Sequence, residues 1–471
     1  MHPLFRILLA GFALATSCYA QLTLGPSAPA AKMTLVTPHI APPPAPVLDV
    51  RKFGAKGDGV SYDTAAIQKA IDKCAGTGGS VLLSTGKFLS AQLTLRGNMT
   101  FYIEKDAVLL GGTRPEDYPI LVPNPVNNSL TGAIRRSLLY ADLADKLVLD
   151  GGGVIDGQGA QVQMFGKEPE RPSLLRIFNS NDVTVRNVSM HNPRMWTQVY
   201  LECKRLLLDN VKVLAPPTCE NLDGMDICDC HDVVIRNCDV KAEDDGICLK
   251  TSSRTGLKNI TITNNTVHCY RANAIKIGTS SRGPIENLQI LENTVAFAKY
   301  GGLCLESVDG SVMSNVRVEG LDMQAVAQPF FIRVATRGTT RDGGKDKRPP
   351  LGSISNVRIE RVRVLATHDK TAPSSTITAV NDGVLKNILF KNIYVEMPGG
   401  LEGMPSMAKV DDQGYPQSNI FGNPPGYAFY VKNAQNIVFE DVSIGALKRD
   451  VRPWLKADKS EVQTVRCEER K

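Results

Sequence analysis

Aromatic residues are scarce in this chain, making up 6% of its 471 residues with only two tryptophans. That argues against a helical bundle, whereas 40 glycines and 42% hydrophobic residues suit stacked aliphatic strands joined by many turns. Charge of one sign is scarce too. A formal net charge of +6 mildly suits an anionic polymer, but it offers no case for nucleic acid, which asks for a concentrated basic stripe. None of the eleven cysteines forms a Cys-x-x-Cys pair, so zinc spacing is absent and no metal or other cofactor is expected. Beyond the N-terminal segment, no stretch is apolar for the ~20 residues that a membrane helix needs.

Residues 1–20 read as a secretory signal, with Arg6, an apolar run from Ile7 to Ala15, and the small-residue site Ser17-Cys18-Tyr19-Ala20 before Gln21. The expectation is export to the periplasm or the outside, with a lipid anchor on Cys18 as the alternative. Residues 21–47 form a Pro/Ala-rich linker that cannot build a core. After signal removal ten cysteines remain, and export permits a disulfide among Cys219, Cys228 and Cys230. Cys238, Cys248 and Cys304 sit in strand-like repeats and read as small buried thiols.

What is abundant is repetition. A phrase of the form Asn-Val/Ile-x-Val/Ile-x-Asn/Asp recurs, as in Asp182 to Val188, Asp232 to Cys238, Lys258 to Asn264, Glu286 to Glu292, Ser314 to Glu319, Ser355 to Glu360, Lys386 to Lys391 and Gln435 to Glu440. Alternating apolar residues mark strands with one buried face, and a repeat of ~20 to 30 residues stacks such strands into a solenoid. The recurrent Asn suits a turn, where it tolerates unusual φ. The predicted fold is all-β, a single-stranded right-handed parallel β-helix over residues 48–466. Leu48 to Phe53 reads as a first strand and Tyr62 to Cys74 as a short amphipathic capping helix.

Asp223 stands in NLDGMD and the pair Asp244-Asp245 in AEDDGICLK, about one repeat apart. Stacked coils lie roughly 4.8 Å from one another, so these three carboxylates crowd into one acidic site. A lone Asp of this kind usually ends a strand or binds a cation; three of them one coil apart point to acid–base chemistry. Asp226 is a secondary candidate to ligate or orient. Lys250, Lys276 and Arg271 fall on the same coils, either to hold a substrate carboxylate or to pair with Glu243 or Glu306. Arg333 opens a basic run through Arg337, Arg341, Lys345, Lys347 and Arg348 that can wall a cleft or simply be a solvated loop. Trp196, Tyr270 and Tyr300 are candidates to stack on sugars or to pack, and His268 reads as a surface or packed histidine.

From Leu48 to about Ile444 these residues resemble the polygalacturonase family of pectin-degrading glycoside hydrolases, family 28. The resemblance rests on Val-Arg-Lys-Phe-Gly-Ala-Lys-Gly-Asp-Gly from Val50, Asn-Pro-Arg-Met-Trp at Trp196, Asn221-Leu-Asp-Gly, and Asp244-Asp245-Gly. It implies a pectin-lyase-like solenoid acting on pectic polysaccharide, with Asp223, Asp244 and Asp245 as the catalytic set. Where the family has His-Gly, this chain has Asn273-Ala274; where it has Arg-Ile-Lys, this chain has Cys304-Leu305-Glu306. Asn221, Asn273 and Glu306 therefore join Lys250, Lys276, Arg271 and Arg333 as candidate substrate-binding residues.

Glycosidic hydrolysis needs one carboxylic acid for the leaving oxygen and another carboxylate to activate water. The expectation is that Asp245 is the acid and that Asp223 and Asp244 activate water, with inversion at the anomeric carbon following from the resemblance. The chain is expected to act as a monomer. A pectate-lyase-like eliminase with a Lys or Arg base, and a carbohydrate-binding solenoid without turnover, are the competing readings.

Overall fold

A computed structural model of the protein describes residues 40–121, 123, 134–160, 170–217, 219–337, 351–366, 374–406 and 408–470. The predicted signal, most of the linker, and Arg341, Lys345, Lys347 and Arg348 lie outside the described residues.

The repeats are the coils of a right-handed parallel β-helix. One coil contributes the strands Met225–Cys228, His231–Arg236 and Asp239–Ala242, and the next contributes Ile247–Thr251, Leu257–Thr263 and Thr266–Cys269. Each strand pairs in parallel with its counterpart one coil on. Toward the C-terminus strands fuse, so that Lys386 to Lys391 forms part of the single strand Val384–Gly399.

Alternation decides which side chains fill the bore. Ile227, Leu249, Ile277, Leu305, Ile332 and Ile377 stand in register on successive coils and are all fully buried. Burying each such side chain contributes roughly 1.5 to 3 kcal/mol. The alternate column, Asp226, Cys248, Lys276, Cys304 and Phe331, is likewise in register and points away from the bore.

The repeated Asn behaves as its side chain allows. Asn259, Asn287, Asn356, Asn387 and Asn436 all have left-handed φ between 50° and 59°. Their amides form a ladder along the solenoid: Asn287 Nδ2 donates to Asn259 Oδ1 at 3.1 Å, and Asn436 Nδ2 donates to Asn387 Oδ1 at 3.0 Å. A second file lies inside the wall, where buried Asn265 donates to Asn293 Oδ1 at 3.0 Å.

At the N-terminal end the helix α1 spans Thr64–Cys74 and buries Ile67, Ala70, Ile71 and Cys74 against the first strands. It starts after the expected Tyr62 because Tyr62 ends the strand Asp58–Tyr62 and bonds Asp117, while the Asp63 carboxylate takes the backbone N–H groups of Lys56 and Gly57. The predicted strand from Leu48 to Phe53 is also shorter. Val47–Asp49 is extended, then the Asp49 carboxylate accepts from Arg51 N and Val50–Phe53 turns as a 3-10 helix.

All ten described cysteines are free, including Cys219, Cys228 and Cys230, so the disulfide that export would permit among them is not formed. Cys228 and Cys230 are both buried, and the Cys230 thiol instead accepts from Cys203 N at 3.3 Å and donates to the Cys228 carbonyl at 3.2 Å. Among the described residues no helix is long and apolar enough to cross a membrane.

Candidate active site

Two Asp-Gly steps place the carboxylates. A Cβ on Gly246 would come within 2.4 Å of Val267 and 2.6 Å of the Ala274 carbonyl, so only glycine lets the chain turn into the strand so close to the next coil. Gly224 N donates to the Asp245 carbonyl and Gly246 N to the Asn273 carbonyl, each at 2.9 Å. Asp223, Asp245 and Asn273 thereby occupy equivalent positions on three successive coils. Trp196 precedes them by the same pattern, because Thr197 N donates to the Asp223 carbonyl at 2.8 Å. Trp196, Asp223 and Asp245, together with Asn221, Asp244, Lys250 and Lys276, border a cleft of about 240 Å³.

Two lysines interleave with the acids. Lys250 pairs with Asp226 and reaches Asp223 Oδ2 at 3.2 Å, and its ammonium sits 4.0 Å from the centre of the Trp196 ring. Lys276 Nζ lies 2.9 Å from Asp245 Oδ2, while Asn273 donates to Asp245 Oδ1 from its side chain at 2.8 Å and its backbone at 3.2 Å. Both lysines are buried, yet Asp226 in one case and Asp245 in the other outweigh that burial and hold them firmly protonated.

The carboxylates are driven apart. Burial pushes Asp245 up, but Lys276, Lys250 and the Asn273 amide together hold it below the usual carboxylate range. Its sequence neighbour Asp244 is half-buried and is raised to about 7 by desolvation and by the charge on Asp245. Burial and Asp226 push Asp223 well up against the pull of Lys250, and Asp226 itself rises to about 6 through burial. These surroundings do not favour the expected acid role for Asp245. Asp245 is the ionised member of the pair, and Asp244 is the one that carries a proton near neutrality.

Other expected residues have other partners. Arg271 lies at the exposed rim, paired with Glu243 at 3.0 Å and Glu220 at 2.8 Å, which is the salt-bridge alternative. Arg333 is buried, donates to Thr378 at 3.2 Å and pairs with Asp412 at 2.9 Å. Glu306 is 1% exposed, its Oε2 has no hydrogen-bond partner, and burial raises it to about 7. Neither Arg333 nor Glu306 borders the cleft. Asn221 does, with left-handed φ of 63° and its Oδ1 accepting from Arg171 at 2.7 Å. Tyr270 and Phe297 flank His268, with ring centres 4.5 and 5.0 Å away.

Sequence reasoning missed Tyr415. Its hydroxyl lies 3.3 Å from Lys276 Nζ and 2.9 Å from Thr279 Oγ1, and both Tyr415 and Thr279 border the cleft. Thr279 and Tyr415 are 136 positions apart in the sequence, so no repeat spacing signals the contact. Arg337, anchored on Asp309 at 2.9 Å, completes that end.

A parallel β-helix that carries interleaved carboxylates and ammonium groups in a cleft on one ladder is a solenoid with acid–base machinery. The pattern of glycosyl hydrolases family 28 matches residues 89–413, and the chain belongs to that family. Residues 47–103 also match rhamnogalacturonase A/epimerase, pectate lyase-like. A probable polygalacturonase of Vitis vinifera is 28% identical over 42% of this chain and 43% of its own length. A probable polygalacturonase of Arabidopsis thaliana is 25% identical over 66% of each chain, and an exopolygalacturonase of Zea mays is 29% identical over 50% of this chain and 55% of its own. The chain thus spans between 43% and 66% of the length of these relatives. In fold, it is similar to the family 28 exopolygalacturonase of Yersinia enterocolitica, with a TM-score of 0.69 and 19% identity over 89% of this chain and 78% of that one.

Proposed function

We propose that the protein hydrolyses glycosidic bonds of pectic polysaccharide, with Asp244 as general acid, Asp245 as the carboxylate that activates water and Asp223 as the group that orients that water. The observation that carries this reading is the split between adjacent side chains: Asp244 is raised to about 7 while Asp245 is held ionised by Lys276 and Asn273. Environments that push two carboxyl groups apart assign the acid and the base. Asp244 protonates the departing glycosidic oxygen. Asp245 takes the proton of a water that attacks the anomeric carbon from the opposite side, inverting it, while Asp223, kept protonated by burial and Asp226, orients that water.

The cationic floor suits an acidic sugar. Lys250 and Lys276 offer fixed positive charge where a uronate carboxylate can sit, and Trp196 beside Lys250 offers an apolar face for the ring. Galacturonan is accordingly the proposed substrate, in keeping with the polygalacturonase relatives. Export of the chain and action as a monomer belong to the same proposal.

Elimination is disfavoured by the same groups. It requires a neutral Lys or an unpaired Arg as base, but both lysines are held protonated and Arg271, Arg333 and Arg337 are each committed to an acid. Proton NMR of galacturonan digestion tests the proposal. The first-formed reducing end should have the anomeric configuration opposite to that of the bond cut, with no unsaturated product. Retained configuration, or an ultraviolet-absorbing unsaturated end, would refute it.

A further inference from the structure

The outward column of the site ladder does not end at Lys276. One and two coils further on, Cys304 and Phe331 continue it in register, and Glu306 and Arg333 sit beside them, also in register with each other. In an open groove these positions would face solvent and contact successive sugars. Instead all four are buried, with exposures of 0 to 3%.

What covers them is a segment of the same chain, residues 408–421. Phe421 packs with Cys304, Phe331 and Tyr430 in a closed apolar cluster, with Val410 and Ile420 against it. The Arg333 guanidinium lies 5.3 Å from the Phe421 ring and pairs with Asp412, tying the segment to the ladder from two sides. From this anchored segment Tyr415 reaches back to Lys276 and Thr279. Tyr415 therefore stands over the coil of Lys276 and Thr279, immediately after the one that carries Asp244 and Asp245, roughly 4.8 Å along the ladder.

We infer that Tyr415 is a specificity-determining residue that closes the cleft one coil beyond the aspartates, so that the site accepts the end of a sugar chain and cuts close to it. This inference rests on the hydrolase reading. With the wall one coil, roughly 4.8 Å, beyond the aspartates, a longer chain would collide with Tyr415. Arg333 and Asp412 are the latch that holds the wall, which explains why Arg333 faces the protein's own segment rather than substrate.

The test compares wild type with Tyr415→Ala, at a residue that is 54% exposed and lies outside the core, and with Asp412→Ala, which frees the latch. On galacturonan, the wild type should release mono- or disaccharide from the outset with little loss of viscosity, and both variants should shift toward longer oligomers. A spread of oligomers from the wild type at early times, or an unchanged product pattern in Tyr415→Ala, would overturn the inference.

Absence of any cleavage by the wild type would sink the hydrolase reading alone, and closure is then read by binding. Galacturonate oligomers carrying a bulky tag at one end or the other are titrated calorimetrically. One of the two tags should weaken binding to wild type by about tenfold or more, through a steric clash that Tyr415→Ala relieves. Equal tolerance of both tags by the wild type would overturn the inference.

Discussion

Lys276 bonds Asp245 across one rung of the ladder, Nζ to Oδ2 at 2.9 Å, and both groups are buried. This contact sets the electrostatic order of the site. It fixes Asp245 as an anion, and that anion in turn raises Asp244. A lysine expected either to hold a substrate carboxylate or to pair with a glutamate thereby also acts on which of two neighbouring aspartates keeps its proton.

Removing that ammonium should move the pH profile in a defined direction. In Lys276→Met, Asp245 remains buried without its nearest cation, so its pKa rises and the acidic limb of kcat/KM shifts to higher pH. Activity at pH 5 should fall by about tenfold or more, since a close opposite charge is worth 1 to 3 pKa units. An acidic limb that stays in place would show that Asp245 is not the base.

In the wild type the alkaline limb should belong to Asp244. With its carboxyl at about 7, kcat/KM should decline as pH rises through about 7 and the acid is lost, giving a bell with the ionisation of Asp245 on its acid side. Asp244→Asn should lower kcat by about 100- to 10,000-fold with little change in KM. Steady-state kinetics across pH checks both statements.

Stability should carry a separate signature from Glu306. Its folded-state carboxyl is raised by burial to about 7, against 4.5 when free, so folding favours the protonated form. The stability this provides is complete below pH 4.5 and is lost as pH rises through about 7. Glu306→Gln should therefore be more stable than wild type at pH 8, by on the order of 1 to 3 kcal/mol, and should match it at pH 4. Thermal unfolding at the two pH values measures the difference; a penalty that is the same at both would contradict it.

The two asparagine files should differ sharply in importance. Asn265 is buried, donates to the Ile235 carbonyl and to Asn293, and accepts from Cys238 N. Truncation strands buried backbone groups, so Asn265→Ala should cost about 2 to 4 kcal/mol by denaturant unfolding. Asn287→Ala on the exposed ladder should cost about 1 kcal/mol, through loss of one amide bond and strain at positive φ.

The coil architecture was legible because alternation and the recurrent Asn report directly on strands and turns. Asp223, Asp244, Asp245, Lys250 and Lys276 converge because they lie within two repeats, where separation along the chain translates into coil number. Arg333 and Glu306 were misplaced for the opposite reason. Their surroundings depend on Asp412, Tyr415 and Phe421, which belong to no repeat and reach the ladder only through tertiary packing. The start of α1 moved because Asp63 found backbone partners at Lys56 and Gly57 that helical periodicity does not register. The order of Asp244 and Asp245 was not legible because they are identical in type, and only their surroundings, with Lys276, Lys250 and Asn273 acting on Asp245, separate them.

The most direct measurement is chromatography and mass analysis of the products formed from polygalacturonate by the purified wild type and by Asp244→Asn. Saturated galacturonate products from the wild type, nearly absent with the variant, are the predicted result. Unsaturated products, or undiminished release by Asp244→Asn, would contradict the account.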